Sequence, residues 1–465
     1  MRQKLFGRRG SITIFLCIIL SAVILLESVY VAGAYQRKRE VLLTEAVSHQ
    51  VEQALSQFDR NYLDWFGIYA LTHVDGATSV FDQMTQKLDG AQYTYELCDP
   101  FCNADLRKCI SEYMRLRGVA FAGNALLERL GISIKEITDN GGKSGSGISK
   151  WLPSFQSFLK NKNATKAVLA KVKSYASIVN LDEKLEDVED FLDGARETWE
   201  QKSSAVLEMG DSSVSISMFD PSSVSSLTHL FDSYMDVDLP GWADRLILNE
   251  YAADQFDSLV PAYETETGYE IETNMVGIPF AAMHGGNEAD LEYLLTGSDQ
   301  EWVNTLMAKN FILGARLVLN MGAFCMDKAK KSKAFGIAEV IVVMLAILSM
   351  GTIILDPATV QYFVLFIMAY VRAFSDMRKL IKGKSVPLFY NDAFQKSMGE
   401  FAQSKYRDYF RFALLLVPEE KLVTRMRKVI ERDAVLPMFT SVRGVGEMNE
   451  SRFVVERGYE IYENH

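Results

Sequence analysis

Ser11-Ile12-Thr13-Ile14-Phe15-Leu16-Cys17-Ile18-Ile19-Leu20-Ser21-Ala22-Val23-Ile24-Leu25-Leu26 runs without a charge, and after Glu27 the sequence stays uncharged through Gln36 before Arg37-Lys38-Arg39. At about 1.5 Å per residue, a helix from Ser11 to Gln36 is about 39 Å long and exceeds a hydrocarbon core of about 30 Å. This stretch therefore predicts a transmembrane helix. A basic leader followed by Ala32-Gly33-Ala34 also fits a cleaved secretory signal, but the apolar core is longer than the usual stretch of about 7 to 15 residues. Arg2, Lys4, Arg8 and Arg9 precede the span and three cations follow it, so the bias favours the N-terminus inside and the bulk of a single-pass chain outside the membrane. Glu27 would sit deep in that helix. A carboxylate there must reach the headgroups or meet another chain, which makes it a candidate stem assembly contact.

No Gly or Pro interrupts residues 34–66, so the helix is expected to continue past the span. Leu43, Val47, Val51, Ala54, Phe58, Tyr62, Trp65 and Tyr69 step by three or four and form one apolar stripe, while Arg39, Glu45, Gln50, Gln53, Gln57 and Arg60 occupy the other face. A helix apolar all round in its first half and amphipathic in its second stands in a membrane and holds a globular domain.

The start Arg9-Gly10-Ser11-Ile12-Thr13-Ile14-Phe15, the apolar run and Leu26-Glu27-Ser28 resemble pseudopilin-like proteins of tight-adherence (Tad, or Flp) pilus systems of Gram-positive bacteria, the TadE/TadG-like group. The resemblance implies a prepilin peptidase junction between Gly10 and Ser11, although Phe15 stands at the fifth position after it, where pilins carry Glu. Further on, Tyr62–Leu71, Leu291–Gly297, Arg316 with Asn320, and Gly383–Leu388 are similar to an uncharacterised bacterial family that shares this anchor. That family has no established activity to carry over.

The chain has 465 residues, 48% of them hydrophobic and 23% charged, enough to bury a core in more than one domain. The formal net charge is −11 with cations concentrated at the N-terminus, which argues against a nucleic-acid phosphate footprint. The expected organisation is a cytoplasmic stub (1–10), the transmembrane helix (11–36), a membrane-proximal helical region (37–138) turning at Asp99-Pro100, and a Gly/Ser linker (139–150). A helical segment (151–209), a Ser-rich linker (210–226), a helical domain with some strand (227–435) and a terminal β segment (436–465) complete it. The fold class expected is mainly α with minor β (α+β).

Val340–Leu355 and Ala358–Val371 are uncharged runs broken by Asp356-Pro357, each short for a span of about 20 residues. They are expected to form a buried helical hairpin, with one or two additional spans as the alternative. Arg316 and Asn320, one turn apart on an otherwise apolar helix, should pair within the fold.

Sites for chemistry are sparse. Gly142-Lys143-Ser144 lacks the earlier glycine of a phosphate loop, since Ile137 occupies that position, and the acids of residues 182–193 lack the glycine of a calcium loop. His229 and His284 read as surface or loop residues, and neither a Gly-x-Ser-x-Gly elbow nor His-Glu-x-x-His occurs. Cys98, Cys102 and Cys109 offer a disulfide, whose pairing spacing cannot choose, and no accompanying His for zinc. No catalytic, cofactor-binding or metal residue is assigned. The function expected is a membrane-anchored, non-enzymatic pilin-like protein that contributes to a Tad-type pilus. Its partners would be the lipid bilayer and other pilin-like or assembly proteins, with self-association through the N-terminal helix. The alternatives are an extracytoplasmic sensor, a multi-span assembly factor, or an anchored cell-wall hydrolase.

Overall fold

The computed structural model describes residues 4–75, 78–115, 121–141, 148–179, 182–209, 212–234, 242–265, 268–274, 276–280, 289–353, 355–390, 403–433, 437–449 and 451–462. Along the chain these form α1 (Lys4–Leu55), α2 (Arg60–Phe66), α3 (Ser79–Thr85), β1 (Gln92–Pro100), α4 (Asn103–Met114), α5 (Phe121–Gly141), α6 (Ile148–Lys160), α7 (Lys162–Val179) and α8 (Asp182–Gln201). There follow β2 (Ser204–Met209), β3 (Ser212–Ser217), α9 (Ser222–Tyr234), α10 (Trp242–Gln255), β4 (Ala262–Thr265), β5 (Gly268–Ile271), α11 (Asp290–Thr296), α12 (Glu301–Met326), α13 (Lys328–Leu348) and α14 (Pro357–Ile381). The last elements are β6 (Val386–Pro387), β7 (Gln403–Ser404), α15 (Asp408–Ala413), α16 (Glu419–Asp433), β8 (Phe439–Met448) and β9 (Ser451–Gly458). The class is mainly α with minor sheets, as expected.

The chain divides into two units. Residues 1–109 and 434–465 form one, and residues 110–433 the other. The expected boundaries differ, because the terminal β segment belongs with the N-terminal region: β8 is the middle strand of an antiparallel sheet ordered β1-β8-β9. Gln92 pairs with Glu447 and Pro100 with Phe439, while Met448 pairs with Ser451 across the β8–β9 turn. Within the region read as helical, β1 is a strand, and its alternation of Tyr93, Tyr95 and Leu97 is a period-two pattern. The expected turn at Asp99 is a kink in that strand. Asp99 takes a left-handed φ of 51°, held by Thr440 donating to its carbonyl (3.0 Å) and Ser441 donating to its carboxylate (2.7 Å).

The stem helix also differs from expectation. It stops at Leu55, because the Asp59 carboxylate accepts the Asn61 amide (3.0 Å) and starts α2 afresh, and Gly67 at φ 67° ends that helix. Leu43, Ala46, Val47, Val51 and Ala54 form a core with Leu71, Phe81, Val442 and Met448. Gln50 is buried in this core and accepts the amides of Val80 and Phe81 (2.8 Å each), which caps the start of α3.

In the second unit, α12 is buried on every side from Asn310 to Cys325, as its sequence of apolar residues with only a few polar interruptions requires. It packs against α5, α11, α14 and the β2–β3 hairpin. α13 and α14 form the expected hairpin, with Val340, Ile341, Met344 and Leu345 buried on one helix and Val360 to Ile367 largely buried on the other. Asp356 caps α14 through the Ala358 amide (3.3 Å), with Pro357 in the first turn.

The Ser-rich stretch expected as a linker is ordered structure. Val214 and Ile216 point inward from β3, and Val224, Leu227, Leu230 and Phe231 form the buried face of α9, with most of the serines on the other side. Asp220 caps that helix by accepting the Ser222 amide (3.0 Å). At the expected Gly/Ser linker, α5 runs through Gly141 and α6 begins at Ile148; residues 142–147, including Lys143 and Ser144, lie outside the described residues, as does His284.

Candidate functional site

The first candidate is α1 itself. From Ile12 to Lys38 every residue is exposed, and from Leu43 onward the helix alternates between core and solvent. The exposed half carries Ile12, Ile14, Phe15, Leu16, Ile18, Ile19, Leu20, Val23, Ile24, Leu25 and Leu26, an apolar surface with no protein cover. In water, burying each such side chain would be worth roughly 1.5–3 kcal/mol, so this surface calls for another medium. Two described helices are long and apolar enough to cross a membrane: α1, with its apolar window fully uncovered, and α14, whose window is more than half buried in its own unit. α1 is therefore a candidate membrane anchor.

Gly10 and Ser11 lie within α1. Glu27 is exposed on the apolar half and makes no hydrogen bond or ion pair among the described residues. Cys98, Cys102 and Cys109, the candidates for a disulfide, are free thiols in the structure. Tyr462 explains the third. Its hydroxyl donates to the Tyr69 carbonyl (2.8 Å) and has one proton only, so the Cys109 thiol must donate to it (2.9 Å). Burial is the largest cause that pushes this thiol up, to about 11, which keeps it protonated.

The second candidate is the polar interior of residues 110–433. Arg316 is fully buried, and α12 aims it at Asp376 of α14, with Nη2 at 2.6 Å and Nε at 3.1 Å from the same carboxylate oxygen. Nη2 also donates to Asn320 (3.0 Å), and Nη1 to the carbonyls of Pro387 and Leu388 (3.0 Å each) and to Tyr409 (3.2 Å). Asn320 donates to Asp376 (3.2 Å), and Tyr390 supplies the other carboxylate oxygen with a proton (2.8 Å). The expected internal pairing of Arg316 and Asn320 is thus present. Every guanidinium direction has an acceptor, which is what a charge held away from water requires.

A second polar group, not found in the sequence, surrounds Tyr406–Arg411. Arg407 pairs with Glu272 and donates to the carbonyls of Ala253 (2.6 Å) and Phe256 (2.7 Å). Arg411 reaches Glu250 (3.1 Å), Asp254 (2.5 Å) and Asp408 (2.8 Å). Glu292 is fully buried; its Oε1 accepts from Tyr406 (2.6 Å) and from the Leu259 amide (3.1 Å), while Oε2 has no hydrogen-bond partner among the described residues. Burial pushes its carboxyl up to about 7, despite the hydrogen bond from Tyr406. The dense alternation of aromatic and charged residues in KYRDYFR (405–411) was the available signal.

These groups tie together helices of residues 110–433 and line none of the clefts described. Among the described residues no three His, Cys, Asp or Glu side chains converge as metal ligands.

The fold and its sites define a mainly helical protein with a long, apolar, membrane-anchor-like N-terminal helix. Residues 182–437 match the model of DUF5702, a family of unknown function, and the chain belongs to that family. No curated protein and no solved structure matches it.

Proposed function

We propose that the chain is a single-pass membrane protein, N-terminus inside, acting without catalysis as a pilin-like component of a Tad-type surface assembly. The observation that carries this reading is the division of α1: one half exposed and apolar, the other half the core partner of an antiparallel sheet. That division matches the job of a stem, in which one half packs among like helices in lipid while the other carries the folded body. The Gly10–Ser11 junction would allow the stem to be freed from its basic leader, and Glu27 would find its partner on a neighbouring stem. Inclusion of the apolar α13–α14 hairpin within its own unit supports a single anchor.

The test uses single cysteines at Arg60, Asp356 and Lys421 in a cysteine-free background, labelled on intact cells with an impermeant thiol reagent. Labelling at all three is expected. Labelling at 60 without 421 would establish a second crossing and discard the single-pass reading. Ile19→Arg should abolish membrane retention and surface fibres together, and fibres persisting in a deletion strain under electron microscopy would discard the pilus role.

A further inference from the structure

Cations are the minority charge in this protein, yet four of them gather around one cleft of about 410 Å³ between α8 and the C-terminal end of α14. Arg378 and Lys379 occupy the last turn of α14, where the helix dipole favours positive charge. Lys382 and Lys384 lie beyond that turn and need another explanation. Gly383 between them takes φ 75°, and a Cβ there would fall 2.4 Å from the Ala262 carbonyl, so the chain is forced through a tight turn that keeps both lysines on the cleft.

Counter-charges are few. Lys384 pairs with Glu264 (2.8 Å), while Lys379 and Lys382 are exposed and have no ion pair among the described residues. The single acid lining the cleft is Glu197, which accepts from Gln201 (3.2 Å); Gln201 in turn accepts from Arg378 Nη1 (2.6 Å). That contact fixes the guanidinium and leaves its remaining donors for a ligand. Val371 and Phe374 supply an apolar wall.

We propose that this cleft binds an organic phosphate ester. A guanidinium fork beside ammonium point charges is the donor set that phosphate oxygens recognise, and a cationic cleft in an acidic protein concentrates the field on that ligand. The apolar wall takes the carbon part. The volume falls within the range of about 300–1,000 Å³ typical of small-molecule sites. This site is independent of the stem and of the proposed assembly role.

The test is titration calorimetry of the full chain in a non-ionic detergent, with inorganic phosphate, glycerol phosphate, and mixed micelles of phosphatidylglycerol or phosphatidylcholine as probes. Saturable binding of glycerol phosphate, tighter than inorganic phosphate, is expected. Both variant positions are exposed, so Lys379→Gln/Lys382→Gln should fold and weaken binding by about tenfold or more, the size of one or two charge-assisted contacts. Binding to phosphatidylglycerol micelles alone, lost in the same variant, would support the site and identify a lipid headgroup as the source. No binding of any anionic probe, or binding that the double variant leaves unchanged, would overturn it.

Discussion

Gly446 of β8 and Val47 of α1 touch so closely that a Cβ on the glycine would stand 2.4 Å from Val47 Cγ2. Two residues along the strand, Gly444 repeats the relationship with Val51 at 2.5 Å. Four helical residues advance about 6.0 Å and two strand residues about 6.7 Å, so helix and strand run in step past one another. The missing side chains are what let the helix settle on the sheet.

Gly446→Val should therefore separate α1 from β8. Overpacking of this kind costs about 1–3 kcal/mol, and neither glycine has a left-handed φ, so the effect is steric. Urea denaturation followed by a probe in the unit of residues 1–109 and 434–465 should show a lowered midpoint. A second change, Val47→Ala, should restore part of it; failure of that rescue would mean the glycine acts in some other way.

Arg316 and Asp376 should behave as a unit. Asp376→Asn leaves the Arg316 charge buried without a carboxylate and should cost about 3–5 kcal/mol, while Arg316→Met leaves Asp376 with the half-exposed Arg372 at 3.3 Å and should cost less. The double variant Arg316→Met/Asp376→Leu should cost less than the sum of the singles, because no lone charge is left behind. Strict additivity in a double-mutant cycle would show that the pair is not coupled.

Glu292 gives stability a pH dependence of unusual sign for a carboxylate. Its folded value, raised to about 7, lies above the unfolded value of about 4.3, so between these limits the native state holds a proton that the unfolded state has released. The stabilisation is complete below the unfolded value and is lost as pH rises through 7, by about 4 kcal/mol in all. Glu292→Gln should flatten the fall in urea midpoint between about pH 5 and pH 8. Parallel profiles for the two proteins would remove Glu292 as the cause.

Local patterning made much of this legible. The uncharged run from Ser11 and the stripe from Leu43 to Ala54 required only helical periodicity, and the Asp356-Pro357 break announced the hairpin. The end of α1 is hidden in the sequence because the apolar spacing at Phe58 and Tyr62 continues across it, while the Asp59 cap that starts the next helix is a single side-chain bond. The Ser-rich stretch hides its order, because its composition is that of a linker while Val214 and Ile216 alternate within it as a half-buried strand. What patterning could not supply was long-range pairing. Nothing near Tyr93 signals a partner at Gly446, and nothing near Leu291 shows that Glu292 will meet Tyr406.

The placement of β8 also sets the timing of biosynthesis. The stem stripe leaves the ribosome early, but its covering strand comes after the whole of residues 110–433, which at about 5–20 residues per second takes roughly a quarter of a minute to a minute. Throughout that interval Leu43, Val47 and Val51 lack the surface made for them. A transcript cut short before Phe439 would yield a protein that keeps its apolar helix yet never closes over it, and so displays its own incompleteness to the proteases that clear unfinished chains.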